Sequence, residues 1–164
     1  MCTMLLLIPD RCTGCRMCEL ACTMAHEKLF NPNKSRISIH FEGTPELWNP
    51  SVCRSCGDPP CEKVCPTDPK AIYRDEKIGG GMLIREDICI KCGECIEACP
   101  FAAIFWHPDQ KLPLVCDVCM GDPECVKYCA PKALLVGGKQ KLADEKKTDY
   151  GKDQIKKVEE GFKK

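Results

Sequence analysis

Aromatic residues are scarce in this chain, 6% of 164 residues. No apolar run approaches the roughly 20 residues that cross a bilayer. The first absence means a thin apolar core, so something besides hydrophobic burial is expected to hold the fold. The second predicts no direct membrane insertion. The formal net charge is zero, which removes the basic surplus expected of a nucleic-acid binder. The opening "MCTMLLLIPDRC" has no basic leader, no twin arginine and no small-residue cleavage site, which predicts a cytoplasmic chain. A nucleotide-phosphate loop, a flavin fingerprint and a substrate-pocket motif are missing too. The chain is therefore not expected to catalyse a reaction alone.

Cysteine is what the chain has in excess: 17 residues, far above ordinary usage. An odd count without an export signal argues against a disulfide scaffold. Structural zinc is the next alternative, but zinc sites take two close pairs separated by a spacer. Here sixteen cysteines fall into four close quartets: Cys12, Cys15, Cys18, Cys22; Cys53, Cys56, Cys61, Cys65; Cys89, Cys92, Cys95, Cys99; and Cys116, Cys119, Cys125, Cys129. The third, "CIKCGECIEACP", matches the bacterial ferredoxin run of three cysteines at three-residue steps and a fourth followed by proline.

Three thiolates two residues apart reach three corners of an iron–sulfur cube only if the backbone curls around it. Gly14, Gly57 and Gly93 sit inside these curls and are expected to take tight or positive-φ conformations. The curl also aims amide N–H groups at the sulfurs, which helps set the reduction potential. The fourth cysteine lies on the helical turn beyond and points elsewhere; in two-cluster ferredoxins it ligates the other cluster. Quartets two and three are joined by "PTDPKAIYRDEKIGGGMLIREDI", which reads as a strand, a Gly-rich turn and a second strand. That linker pairs two with three and leaves one and four to pair around the outside; sequential pairing is the alternative. After the later quartets, "PTDPKAI", "PFAAI" and "APKAL" predict short strands starting at Ile72, Ile104 and Leu134. The first quartet lacks this continuation, and its helix is expected to end near Asn31-Pro32.

The nested array over residues 1–138 resembles the four-cluster electron-transfer subunits of molybdenum- and tungsten-pterin oxidoreductases. The segment "CTGCRMCELACTMAHEKLFNPNKSRI", including His26-Glu27, is most similar to the small iron–sulfur subunits beside tungsten enzymes of the aldehyde:ferredoxin oxidoreductase type. Benzoyl-coenzyme-A reductase subunits are among the relatives of that group. The resemblance implies four [4Fe–4S] clusters. Carried onto this chain, one takes Cys12, Cys15, Cys18 and Cys129. A second takes Cys116, Cys119, Cys125 and Cys22. A third takes Cys53, Cys56, Cys61 and Cys99, and the fourth takes Cys89, Cys92, Cys95 and Cys65. The implied fold is α+β: two fused bacterial two-cluster ferredoxin-like units with nested cysteine pairing. The outer unit spans residues 1–50 and 101–138, the inner 51–100, and a charged tail follows at 139–164. The implied function is relay of single electrons between a tungsten-pterin catalytic subunit and another redox subunit or carrier, with a flavin or further iron–sulfur subunit as an additional partner. Relay in a molybdenum reductase, formate dehydrogenase or hydrogenase complex is the alternative.

Other residues carry weaker signals. Cys2 has no partner and reads as a free thiol. His26, His40 and His107 read as structural, with proton transfer or ligation as the sharper role. Trp48 and Trp106 read as packing residues, and Asp87, Glu94 and Glu97 as a solvated acidic face. The tail from Lys139 holds nine lysines against six acids, a balance of +3, while the rest holds fifteen basic against eighteen acidic residues, −3. Ile155, Val158 and Phe162 fall at helical spacing. A partly helical tail is expected, either solvated or docked as an arm on a partner.

Overall fold

The computed structural model describes residues 4–41, 43 and 48–161; in the last helix the side chains at 139, 154 and 157–161 lie outside the description, as does Cys2. Its strands form four separate antiparallel pairs. β1 (Met4–Leu7) pairs with β8 (Leu134–Gly137), β2 (Ile37–Phe41) with β3 (Trp48–Val52), β4 (Ile72–Asp75) with β5 (Gly81–Ile84), and β6 (Ile104–Trp106) with β7 (Pro113–Val115). The helices are α1 (Met17–Glu27), three single turns α2 (Pro60–Lys63), α3 (Glu94–Glu97) and α4 (Glu124–Lys127), and α5 (Lys139–Gly161). The mixed helix and strand content is that of small ferredoxin-like α+β units.

The strand starts expected at Ile72, Ile104 and Leu134 are found. So is the hairpin between quartets two and three, whose turn is a single 3₁₀ turn at Glu76–Ile78 closed by Gly79 in the left-handed region. The β1–β8 ladder joins the two ends of the cysteine array, with Met4 opposite Gly137 and Leu7 opposite Leu134. It closes a loop of more than a hundred residues, and so brings the first quartet to the fourth. In space α1 packs on α4, and α2 on α3.

Two small cores result. One holds Leu5, Leu7, Ile37, Ile39, Val52, Val118 and Leu134 with Cys18, Cys22, Cys116 and Cys125. The other holds Ala71, Ile72, Met82, Ile104 and Val115 with Cys61, Cys65 and Cys95. Cys53 packs against both. Buried Glu19 ties α1 to β2 by accepting the Ile39 N–H at 2.7 Å.

One expectation is corrected. Helix α1 ends at Glu27, because Lys28 turns left-handed (φ 56°) and its Nζ donates to the Ala25 carbonyl at 2.9 Å. The helix therefore stops several residues before Asn31-Pro32, on a left-handed cap rather than on proline sterics. Within the tail, residues 139–161 form one helix, which is tied to the chain's own body through Arg11. Arg11 Nε and Nη2 grip the Asp149 carboxylate at 2.8 and 2.7 Å, and Nη2 also reaches Glu145 at 2.9 Å. Glu145 and Asp149 are four apart and share a helix face. The Arg11 guanidinium holds the Asp149 carboxyl below the usual carboxylate range. Ile155 is exposed; Val158's side chain and Phe162 lie outside the described residues.

Candidate metal centres

Each quartet folds the same way locally. The residue before its second cysteine is left-handed: Gly14 (φ 68°), Ser55 (φ 49°), Lys91 (φ 58°) and Val118 (φ 57°). That reversal curls three thiols to one side. Gly14 and Gly93 are positive-φ as expected, whereas Gly57 is not, and Ser55 makes the turn in its loop. Val118 is the costly case, a β-branched residue in a region that disfavours it by roughly 1–2 kcal/mol. The third cysteine of every quartet sits on a helical first turn and is buried: Cys18, Cys61, Cys95 and Cys125. In the first and third quartets the second cysteine, Cys15 or Cys92, is exposed. Cys119 opens into an apolar groove of about 810 Å³ between α1 and α4.

None of the sixteen described cysteines is in a disulfide. Cys12, Cys15, Cys18 and Cys129 line one small cavity, and Cys53, Cys56, Cys61 and Cys99 line another. The electrostatic influence of one thiol on another runs both within these groups and across them, since Cys53 acts on Cys116 and Cys18 on Cys125. Cys129 acts on Cys12 and Cys18, Cys99 on Cys53 and Cys61, Cys65 on Cys95, and Cys22 on Cys116, Cys119 and Cys125. Burial pushes Cys18 and Cys61 up to about 12 and Cys53 and Cys95 to about 11, and raises Cys116 and Cys125 strongly. Without a cation these thiols stay protonated, so a metal centre that draws off their protons suits the donor set. Four sulfurs facing one another in each small cavity fit a thiolate-ligated cube.

The fourth cysteines of three quartets have specific hydrogen-bond partners. Cys22 Sγ accepts the Arg36 N–H at 3.3 Å, and Cys99 Sγ the Ala103 N–H at 3.4 Å. Cys65 Sγ lies 3.2 Å from the Thr67 hydroxyl. At Cys65, burial raises the thiol, but Thr67 and the backbone N–H groups of Ile72, Thr67 and Ala71 together outweigh it and bring it to about 7. Such donors favour negative charge at sulfur.

The tryptophans have a role that spacing did not reveal. A Cβ on Gly14 would lie 2.4 Å from two Trp48 ring carbons, and one on Gly93 would lie 2.9 Å from Trp106 Cζ2. Each ring lies directly over a glycine of a cysteine curl, so each reads as packing, as expected, but on the sites themselves. Gly14→Ala is expected to destabilise the loaded protein by about 1–3 kcal/mol, from left-handed strain and ring displacement. Thermal bleaching of the cluster absorbance measures this, and an unchanged midpoint would refute it. His107 is structural: its Nδ1 accepts the N–H groups of Asp109 and Gln110 at 3.2 and 3.1 Å. His40 sits on β2, and Asp87, Glu94 and Glu97 are exposed. His26 lies against Cys22 and Asp117.

Comparison with known proteins agrees with this local chemistry. The model of the "4Fe-4S dicluster domain" matches residues 46–139, and that of the "4Fe-4S binding domain" matches residues 9–25. The chain belongs to the 4Fe-4S dicluster domain family. It is similar to the polyferredoxin-like subunit of aliphatic sulfonate oxidoreductase from Pyrococcus furiosus, at 40% identity over 76% of this chain and 70% of that one. It is also similar to the putative electron transport protein YsaA of Escherichia coli, at 35% identity over 76% and 82%. A chain of the active-site complex BamBC of benzoyl coenzyme A reductase with 1,5-dienoyl-CoA aligns at TM-score 0.48 and 26% identity, covering 82% of this chain and 75% of that one. As a member of this family the chain binds [4Fe–4S] clusters and is an electron-transfer subunit of an oxidoreductase complex rather than a catalytic enzyme. No helix among the described residues is long and apolar enough to cross a membrane.

Proposed function

We propose that this chain relays single electrons through four [4Fe–4S] clusters between a tungsten-pterin catalytic subunit of the aldehyde-oxidoreductase type and another redox subunit or carrier. The ligand sets are Cys12, Cys15, Cys18 with Cys129; Cys116, Cys119, Cys125 with Cys22; Cys53, Cys56, Cys61 with Cys99; and Cys89, Cys92, Cys95 with Cys65. The observation that supports this reading is the lining of two small cavities, one by Cys12, Cys15, Cys18 and Cys129 and the other by Cys53, Cys56, Cys61 and Cys99. A bound cluster supplies a one-electron couple. The chain's own residues hold the thiolates, donate N–H groups to the crossing sulfurs and limit water at the buried third cysteines. The proposed outer unit is residues 1–50 with 101–138 and the inner 51–100. The tungsten partner rests on the resemblance of the first quartet and its flank, and a cytoplasmic location on the sequence alone.

Metal analysis of the tagged protein, purified anaerobically from its native host with all co-purifying chains, tests this. About sixteen irons per chain, from four cubes of four, together with tungsten, is the expected result. Molybdenum in place of tungsten would overturn the choice of partner, iron with neither metal would overturn the complex, and zinc without iron would overturn the clusters.

A further inference from the structure

Helices α1 and α4 leave an apolar groove of about 810 Å³ between them. Met17, Leu20 and Met24 of α1 line it, joined by Phe30 beyond α1 and Tyr128 beyond α4. Met17 and Met24 are exposed, as are Phe30 at 71% and Tyr128 at 58%. A contiguous apolar surface of this kind marks an interaction site on a soluble chain. Methionines suit it, because their flexible side chains adapt to what they meet.

Cys119 is the one cysteine in that lining. Among the described cysteines it alone is itself left-handed (φ 45°), within a run of four positive-φ residues from Val118 to Gly121. Side chains disfavour that backbone, and no other quartet places two such residues in succession. The charged groups of the rim are engaged within the chain. Lys127 Nζ donates to Asp122 at 2.5 Å and to Glu124 at 2.7 Å. Lys28 Nζ donates to the Ala25 carbonyl at 2.9 Å, at the end of α1, where a cation is favoured.

What fits the groove is therefore apolar and uncharged. A small ligand would need converging polar groups to orient it, and those of the rim are taken. Apolar interfaces belong to permanent subunits more than to carriers that bind and leave. The chain is an electron-transfer subunit of an oxidoreductase complex, so the permanent neighbour it must have is the catalytic subunit. We propose that the catalytic subunit seats an uncharged apolar segment in the α1–α4 groove, between Phe30 and Tyr128, and covers Cys119. This rests on the relay reading above and assigns the face of the chain that the catalytic subunit takes.

The test is anaerobic purification of the tagged full chain from its native host, as wild type, as Met24→Glu with Phe30→Glu, and with photoreactive benzoylphenylalanine in place of Phe30. At wild-type iron content, the double variant is expected to retain about tenfold less of the pterin-bearing catalytic subunit, because it buries unpaired charge at the interface. Irradiation of the third protein is expected to link position 30 to that same subunit, identified by mass spectrometry. Full retention by the double variant at wild-type iron would overturn the proposal. So would an adduct with a second copy of this chain or with a further redox subunit, or no adduct at all. If the double variant loses iron, the adduct alone decides. A wild-type preparation without any pterin-bearing subunit would instead refute the relay reading, and this proposal with it.

Discussion

Stripping iron from the anaerobic protein with a chelator is expected to abolish the cooperative fold. Each strand has one neighbour, in four isolated ladders, and a single two-stranded ladder is marginal in water. Helices α2, α3 and α4 are four residues each, far below the length that sustains an isolated helix. Both cores are completed by cysteines, whose side chains otherwise face one another as protonated thiols. Structural metal in small domains contributes about 10–16 kcal/mol, comparable with the whole stability of a domain, about 5–15 kcal/mol. The iron-free chain should lose most far-ultraviolet circular dichroism, keeping at most the signal of α5, and show no thermal transition. A cooperative melt in the chelated protein would contradict this account.

The second large effect concerns which cysteines share a centre. Cys22→Ser and Cys119→Ser are each expected to lower bound iron from about sixteen to about twelve per chain, one cube lost. The double variant is also expected to hold about twelve, because in the nested pairing proposed above both residues serve the same centre and their effects do not add. Under sequential pairing Cys22 would serve a site of the second quartet, and the double variant would fall to about eight. Iron per folded chain, measured beside wild type, separates the two directly. Cys65→Ser combined with Cys95→Ser is the matching experiment on the inner unit, where Cys65 couples to Cys95.

Much of the local structure was legible because it depends on neighbours in sequence. The repeated proline, alanine and aliphatic residue after three quartets marked where strands begin at Ile72, Ile104 and Leu134. The alternation around the glycine run at residues 79–81 marked the β4–β5 hairpin. Reading failed where a conformation was set by contact rather than by residue type. The left-handed turn of the second quartet falls on Ser55, one step before the second cysteine, a position that its residue type does not mark. The tie between the tail helix and the body was not legible, because the face formed by Glu145 and Asp149 has no visible use until Arg11 is beside it. His26 looked like an isolated histidine because its partner Asp117 is 91 residues away.

The sequence alone determined the chemistry: sixteen thiols in loops short enough to curl three of them to one side, with helical turns that carry the fourth away. These are consequences of spacing and of backbone limits within a few residues. Only the tertiary structure decided which thiols face one another, which rings cover which glycines and which charges stand beside sulfur. The β1–β8 ladder closes the chain on itself and brings α1 against α4, and no local pattern encodes which side chains meet when ends more than a hundred residues apart are joined.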